Sequence, residues 1–197
     1  FIFTYFLSIS QTTISLNPSY VNQSFYSMAN GEVANVSNND WDIGFSLQSM
    51  GASIRTNDGM GVELYTYSAG DISSWSSING TSTSMVNSPL YNSDTSWSGA
   101  FDNHQTSSMD LGWGIYSVFT HHVTGDSIHI IKTLNGNWKK LIIESLASGI
   151  YTFKYANLDG TNEVLQTIDK SNYSSKNYIY YSLDQGLVMD REPLSSD

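Results

Sequence analysis

The sequence predicts an all-β fold, an antiparallel β-sandwich with long loops and little helix. Three observations carry this. No stretch of twelve or more residues shows helical periodicity, whereas strand-length apolar runs recur between turn signals. Aromatic residues make up 13% of the chain, with 13 Tyr and 5 Trp, residue types that suit a half-buried pleated surface. Charged residues are only 13%, so polarity rests on Ser, Thr and Asn, which compete for backbone hydrogen bonds inside helices.

The elements follow in order. Residues 20–28 read as a strand, with a turn at Asn30-Gly31 and further strands near 41–48, 52–56 and 62–67. Trp41 and Ile43 alternate with Asp42, as in a strand with one buried face. Asp42 and Arg55 form an ion pair across neighbouring strands or are solvated separately. Residues 68–110 are rich in Ser, Asn and Gly and read as long loops with short strands, a place for function or disorder. The runs 128–133 (IHIIKT) and 138–143 (WKKLII) flank Asn135-Gly136, the strongest short-range hairpin signal. In 150–155 (IYTFKY), Tyr151, Phe153 and Tyr155 share one face and Thr152 and Lys154 the other. Asp159-Gly160 turns the chain into 163–168 (EVLQTI).

Both ends raise questions of organisation. Residues 1–10, FIFTYFLSIS, form a short apolar run ending in small residues, like the remnant of a signal peptide with Gln11 as the new N-terminus. The run is too short to span a bilayer; the alternative is a buried first strand. Residues 25–33 (FYSMANGEV) resemble 180–188 (YYSLDQGLV), and both copies run on through polar residues to an Asp, Asp40 and Asp197. A period this long implies tandem domains: 11–170 as one β domain and 171–197 as the start of a second repeat. The competing explanation is chance similarity between two Tyr-rich hairpins.

Several function classes are disfavoured. A net charge of -10 leaves no basic stripe for nucleic acid. The absence of Cys excludes disulfides, thiolate metal sites and Cys-attached haem. No nucleophile elbow, zinc-protease helix, phosphate loop or dinucleotide fingerprint occurs, so the chain reads as non-catalytic.

Ordered motifs run along 20–156: Tyr20, FYSMANGEV, Asn35-Val36, Asn39-Asp40-Trp41-Asp42-Ile43 and Arg55-Thr56-Asn57, then Gly112-Trp113, IIKTLNGNWKKLII (130–143) and GIYTFKY (149–155). Together they resemble the HmuY family of Bacteroidetes-type bacteria. The resemblance implies a single-domain all-β fold, secretion or display at the cell surface, and non-covalent binding of haem b. The implied partners are haem or haem-carrying proteins, with hand-off to an outer-membrane receptor. His104, within Asp102-Asn103-His104-Gln105, resembles the first axial-ligand loop. The second ligand of the family follows the Gly-Trp strand; here His121 and His122 lie further beyond it, and Met109 or Met85 is the substitute where Met replaces His. At a strand end, His121 and His122 would point to opposite faces, so only one would meet a cleft. His129 lies mid-strand and reads as a strand-face residue.

Two functions stand from the sequence. One is haem capture. The other is a structural or adhesion module of a secreted multi-domain surface protein, with Trp75, Trp97 and Tyr91 stacking on sugars or plugging gaps under loops. Tandem repeats behind a signal peptide also suggest type IX secretion.

Overall fold

Tight turns at glycines with left-handed backbone set the hairpins. Gly136, at φ 83°, closes the turn between β8 (His129–Lys132) and β9 (Trp138–Ala147), and its N–H donates to the Thr133 carbonyl. Ser148 and Gly149, at φ 52° and 79°, join β9 to β10 (Ile150–Asn157). Gly160 precedes β11 (Val164–Asp169). The computed structural model describes residues 13–84, 86, 88–103 and 105–194. The segment 1–10, Met85, His104 and Asp197 lie outside the described residues.

The remaining strands are β1 (Asn22–Ser27), β2 (Gly31–Ser37), β3 (Ile43–Ser46), β4 (Ile54–Thr56), β5 (Glu63–Thr66), β6 (Gly114–Tyr116), β7 (Val123–Gly125), β12 (Tyr178–Ser182) and β13 (Leu187–Met189). Strand accounts for 39% and helix for 13%, the latter all short 3-10 turns, so the all-β antiparallel class holds. β1 and β2 form a two-stranded hairpin. β13, β12, β3 and β4 form a four-stranded sheet in that order. The seven-stranded sheet is built on β9, which pairs with β10 on one side. On its other side it pairs with β8 along its first half and β7 along its second. Beyond these lie β11 next to β10, β5 next to β8 and β6 next to β7. β9 runs four residues past the expected 143, with a bulge where Thr152 faces Ser145 and Phe153 faces Ile143. There Gly125 is required: a Cβ on it would stand 1.9 Å from the Ile143 carbonyl oxygen.

The main core lies between the two sheets. Ile43, Phe45, Ile54, Ile179 and Tyr181 come from the smaller sheet, and Leu64, Ile131, Leu141, Ile143, Tyr151, Phe153 and Tyr155 from the larger. The expected face of Tyr151, Phe153 and Tyr155 is therefore the buried one. On the outer side of the larger sheet, Ile128, Ile130, Ile142 and Ala156 pack under Tyr67, Trp75 and Ile78. The polar 68–86 segment thus closes a second core, through 3-10 turns at Ile72–Ser77 and Gly80–Ser84 rather than strands. Trp75 is a plug here, and its indole N–H donates to Glu163 at 2.7 Å.

The structure corrects two expectations. The boundary at 170/171 falls inside the fold: β12 is fully buried and pairs with β3 from Tyr178↔Ser46 to Tyr181↔Ile43. The Tyr181 hydroxyl meets that of Tyr155 at 3.1 Å inside the core. Residues 178–182 supply apolar surface that β3 would otherwise leave bare. The two similar segments are both hairpins, in different surroundings: 22–37 pairs only within itself and 178–189 is built into a sheet.

The second correction concerns 41–43. Trp41, Asp42 and Ile43 are all buried, so no face of this segment meets solvent. Trp41 packs edge-on against Tyr180 at 4.6 Å on the outside of the sheet, while Ile43 enters the main core. Asp42 is neither paired with Arg55 nor solvated. Its carboxylate accepts the backbone N–H of Leu134 at 2.8 Å and of Leu183 at 2.7 Å, tying the β8–β9 turn to the end of β12. Burial pushes its carboxyl up while those two amides pull it down.

The cations share one habit. Arg55, Lys132, Lys139, Lys140, Lys154, Lys170 and Arg191 each lie over an aromatic ring. Lys140 and Lys154 both stand 4.7 Å from the Trp75 ring. Lys140 is buried because its ammonium also donates to the Trp75 carbonyl at 2.8 Å. No described helix is long and apolar enough to cross a membrane.

Candidate functional site

The turn between β6 and β7 brings His121 and His122 to a cleft of about 770 Å³. Its other walls come from the β3–β4 loop (Met50, Gly51, Ala52), from Leu111, Tyr116, Val123 and Leu146, and from the Ser148-Gly149 turn. His121 has left-handed backbone, φ 56°, and its N–H donates to the Ser117 carbonyl at 2.9 Å. That conformation breaks the strict alternation of an extended strand. Both histidines therefore border one cleft, where an extended His-His pair would diverge.

Tyr116 fixes one of them. Its hydroxyl and His121 Nδ1 are 2.7 Å apart. A histidine that binds a metal through Nε2 carries its proton on Nδ1, and a partner at Nδ1 sets both tautomer and ring orientation. Tyr116 is placed to be that partner, leaving Nε2 of His121 for a ligand.

The loop that leads into β6 and contributes Leu111 to the cleft is anchored in the core. Gly112, at φ 88°, lies against the backbone of Phe101 and Asp102, where no larger residue fits. Asp110 organises this loop, accepting Thr106 N–H and hydroxyl and Gly112 N–H, each at 2.7 Å. Trp113 is fully buried, and its indole N–H donates to the Ala52 carbonyl at 3.0 Å. The Gly-Trp motif is thus a structural anchor, tied through Ala52 to a loop that lines the cleft. Nearby, Asp102 accepts Gly99 N–H at 2.7 Å, and burial raises its carboxyl to about 6.

Lys170 closes one end of the cleft. Its ammonium donates to the carbonyls of Gln48 at 2.9 Å and Gly51 at 2.5 Å, and lies 5.1 Å from the Tyr151 ring. Burial lowers it to about 8. It pins the loop that carries Met50.

The expected ligand residues are placed unevenly. His121 and His122 come together at the cleft. Met109 is outside its wall, 42% exposed, with its carbonyl accepting Tyr116 N–H at 2.8 Å. His129 is fully buried against the Phe101 ring at 4.7 Å, as a strand-face residue. Met50 and Lys170 were not anticipated. Met50 is a loop residue with no pattern to single it out, and a lysine next to a turn reads as solvated until its surroundings are known.

Haem iron in a protein without thiolates is held by His, Met or Tyr. The cleft borders offer His121, His122 and the thioether of Met50 among mostly apolar walls, so the residues present fit such a group. Among the described residues, no cluster of three or more His, Asp or Glu is arranged to hold a bare metal ion. No family model, curated protein or solved structure matches this chain.

Proposed function

We propose that this chain is an extracellular, non-catalytic ligand-capture module that binds haem in the His121–His122 cleft. The observation that carries the reading is the Tyr116–His121 pair at the mouth of an apolar cleft. It leaves an oriented imidazole facing space of the size that small ligands and cofactors occupy, about 300–1,000 Å³. The ordered HmuY-like motifs support the same ligand. His121 or His122 would hold the iron from one wall of the cleft. Met50 would be a second ligand, or His104 as the resemblance implies. The bound group supplies a redox-active iron for transport, and the protein's part is to hold and release it to a receptor.

The test is a hemin titration followed by absorbance, with wild type and the single variants His121→Ala, His122→Ala, Met50→Ala, His104→Ala and Met109→Ala. Wild type should give a saturable Soret band, weakened by loss of His121 or His122 and unchanged in Met109→Ala. No saturable change in wild type refutes haem capture.

A second reading is an adhesion module without haem. The observation favouring it is Trp97, a residue 71% exposed whose backbone is tied down.

A further inference from the structure

The outer face of the smaller sheet carries a second groove, of about 530 Å³, between the β1–β2 hairpin and β12. Five aromatic residues line it, Phe25, Tyr26, Trp97, Tyr178 and Tyr180. Arg55 projects from β4 between two of them, its guanidinium carbon 5.4 Å from the Trp97 ring and 5.1 Å from that of Tyr178.

Arg55 differs from the other cations of the chain. Lys132, Lys139, Lys154, Lys176 and Arg191 are paired with carboxylates. Lys140 and Lys170 donate to backbone carbonyls. Among the described residues Arg55 has one long contact, 3.5 Å to the Ser96 carbonyl, and its buried Nε meets no partner. A guanidinium has five donors, and bonds to oxygen are usually about 2.7–3.2 Å long. Two rings hold the guanidinium in place, and its terminal nitrogens keep donors that no described residue takes up at short distance.

The acid in the same groove is already used. Glu192 accepts the N–H groups of Asn177 at 2.9 Å and Tyr178 at 3.0 Å, and the Tyr180 hydroxyl at 2.7 Å. Trp97 is likewise preorganised: its carbonyl accepts the Ser53 hydroxyl at 3.1 Å and the Tyr178 hydroxyl at 3.4 Å. The indole is held at its root while its ring stays in solvent.

We infer that this groove is a subsite for a carboxylate-bearing saccharide, with Trp97 stacking on a sugar ring and Arg55 pairing with its carboxylate. An exposed, anchored indole suits the C–H face of a pyranose. Among the described residues no carboxylate lies within ion-pair distance of Arg55, though the charge of Asp102 acts on it; such a forked donor suits a planar, bidentate anion. The inference rests on the adhesion reading and gives that reading its ligand class; it is independent of haem.

The experiment is calorimetric titration of the whole chain with oligogalacturonate, its methyl ester and oligoglutamate, at low ionic strength. Wild type should bind the free acid about tenfold or more tighter than the ester, as a charge-assisted pair to a preorganised guanidinium implies. Arg55→Gln should remove that preference, and Trp97→Ala should weaken both sugars. Near-UV circular dichroism checks that each variant is folded, and Trp97→Ala alters an exposed ring that the core does not need. Equal binding of acid and ester, lost in Trp97→Ala, would keep the adhesion reading and overturn the carboxylate subsite. Oligoglutamate bound as tightly as the sugar, with no dependence on Trp97, would overturn it in favour of an acidic peptide. No binding of any probe would overturn both.

Discussion

Asp42 is the residue whose removal should report most directly on how the chain is assembled. It lies 1% exposed and accepts two backbone N–H groups from segments far apart in the chain, Leu134 and Leu183. Hydrogen bonds to a charged group are worth about 1.5–3 kcal/mol each, so the pair contributes about 3–6 kcal/mol. Burying the carboxylate opposes this, outweighing either amide in its effect on the carboxyl, and Ala does not carry that cost. Asp42→Ala should therefore destabilise by about 3–4 kcal/mol, mostly because two buried N–H groups lose their acceptor. Asp42→Asn keeps one acceptor oxygen but turns an NH₂ toward the other amide, and should cost about 2–3 kcal/mol. Urea unfolding followed by tryptophan fluorescence measures both, and the slope with denaturant should not change. A midpoint for Asp42→Ala corresponding to less than about 1 kcal/mol of loss would refute the two-amide arrangement, and with it the place of residue 183 in this core.

Three further outcomes are expected. A chain ending at residue 170 lacks β12, so it should bind hydrophobic dye and show no cooperative unfolding; a cooperative transition like that of the whole chain would contradict the buried β3–β12 pairing. Burial lowers Lys170 from 10.5 to about 8, so between those values the unfolded chain holds a proton that the folded chain lacks. Stability should then rise with pH across that window, by well under the roughly 3 kcal/mol of the full shift because solvent screens a partly exposed ammonium, and the rise should vanish in Lys170→Met. Reading the effect as the difference between the two chains removes the titration of the tyrosines. Tyr116→Phe should leave stability within about 0.5 kcal/mol, as a change at an exposed contact does, yet weaken hemin binding about tenfold or more. Nitrogen NMR of His121 should show its tautomer balance shift, and an unchanged tautomer would remove Tyr116 from the site.

Local pattern made part of this fold legible. Asn135-Gly136 placed the β8–β9 hairpin, and the spacing of Tyr151, Phe153 and Tyr155 placed the core face of β10, because both depend on neighbours within a few residues. Pairing partners are another matter. β12 meets β3 across more than 130 residues of chain, and nothing in YIYYS says which edge it joins. The similarity of 25–33 to 180–188 pointed toward a repeat, since hairpin chemistry looks alike wherever it is used. β7 is three residues long and owes its existence to the second half of β9. Lys140 was hidden for a different reason: its burial depends on a tryptophan delivered by a loop. The site divides the same way. Residue type singled out His121 and His122, whereas the left-handed turn that aims both at one cleft, and the arrival of Met50 and Lys170, are tertiary.

The placement of the cations changes what surrounding solvent meets. While basic side chains lie against rings, surface acids are kept ionised by their own turns. Asp71, Asp159 and Asp169 each accept a backbone N–H and a hydroxyl from the residue two positions on, Ser73, Thr161 and Ser171, which lowers their carboxyls. The net charge of -10 counts these acids as ionised, and their turns keep them so to lower pH. Copies of the molecule repel one another, and most anionic surfaces repel it, over roughly 8 Å at physiological salt. That repulsion works against association between copies although only 13% of the residues are charged.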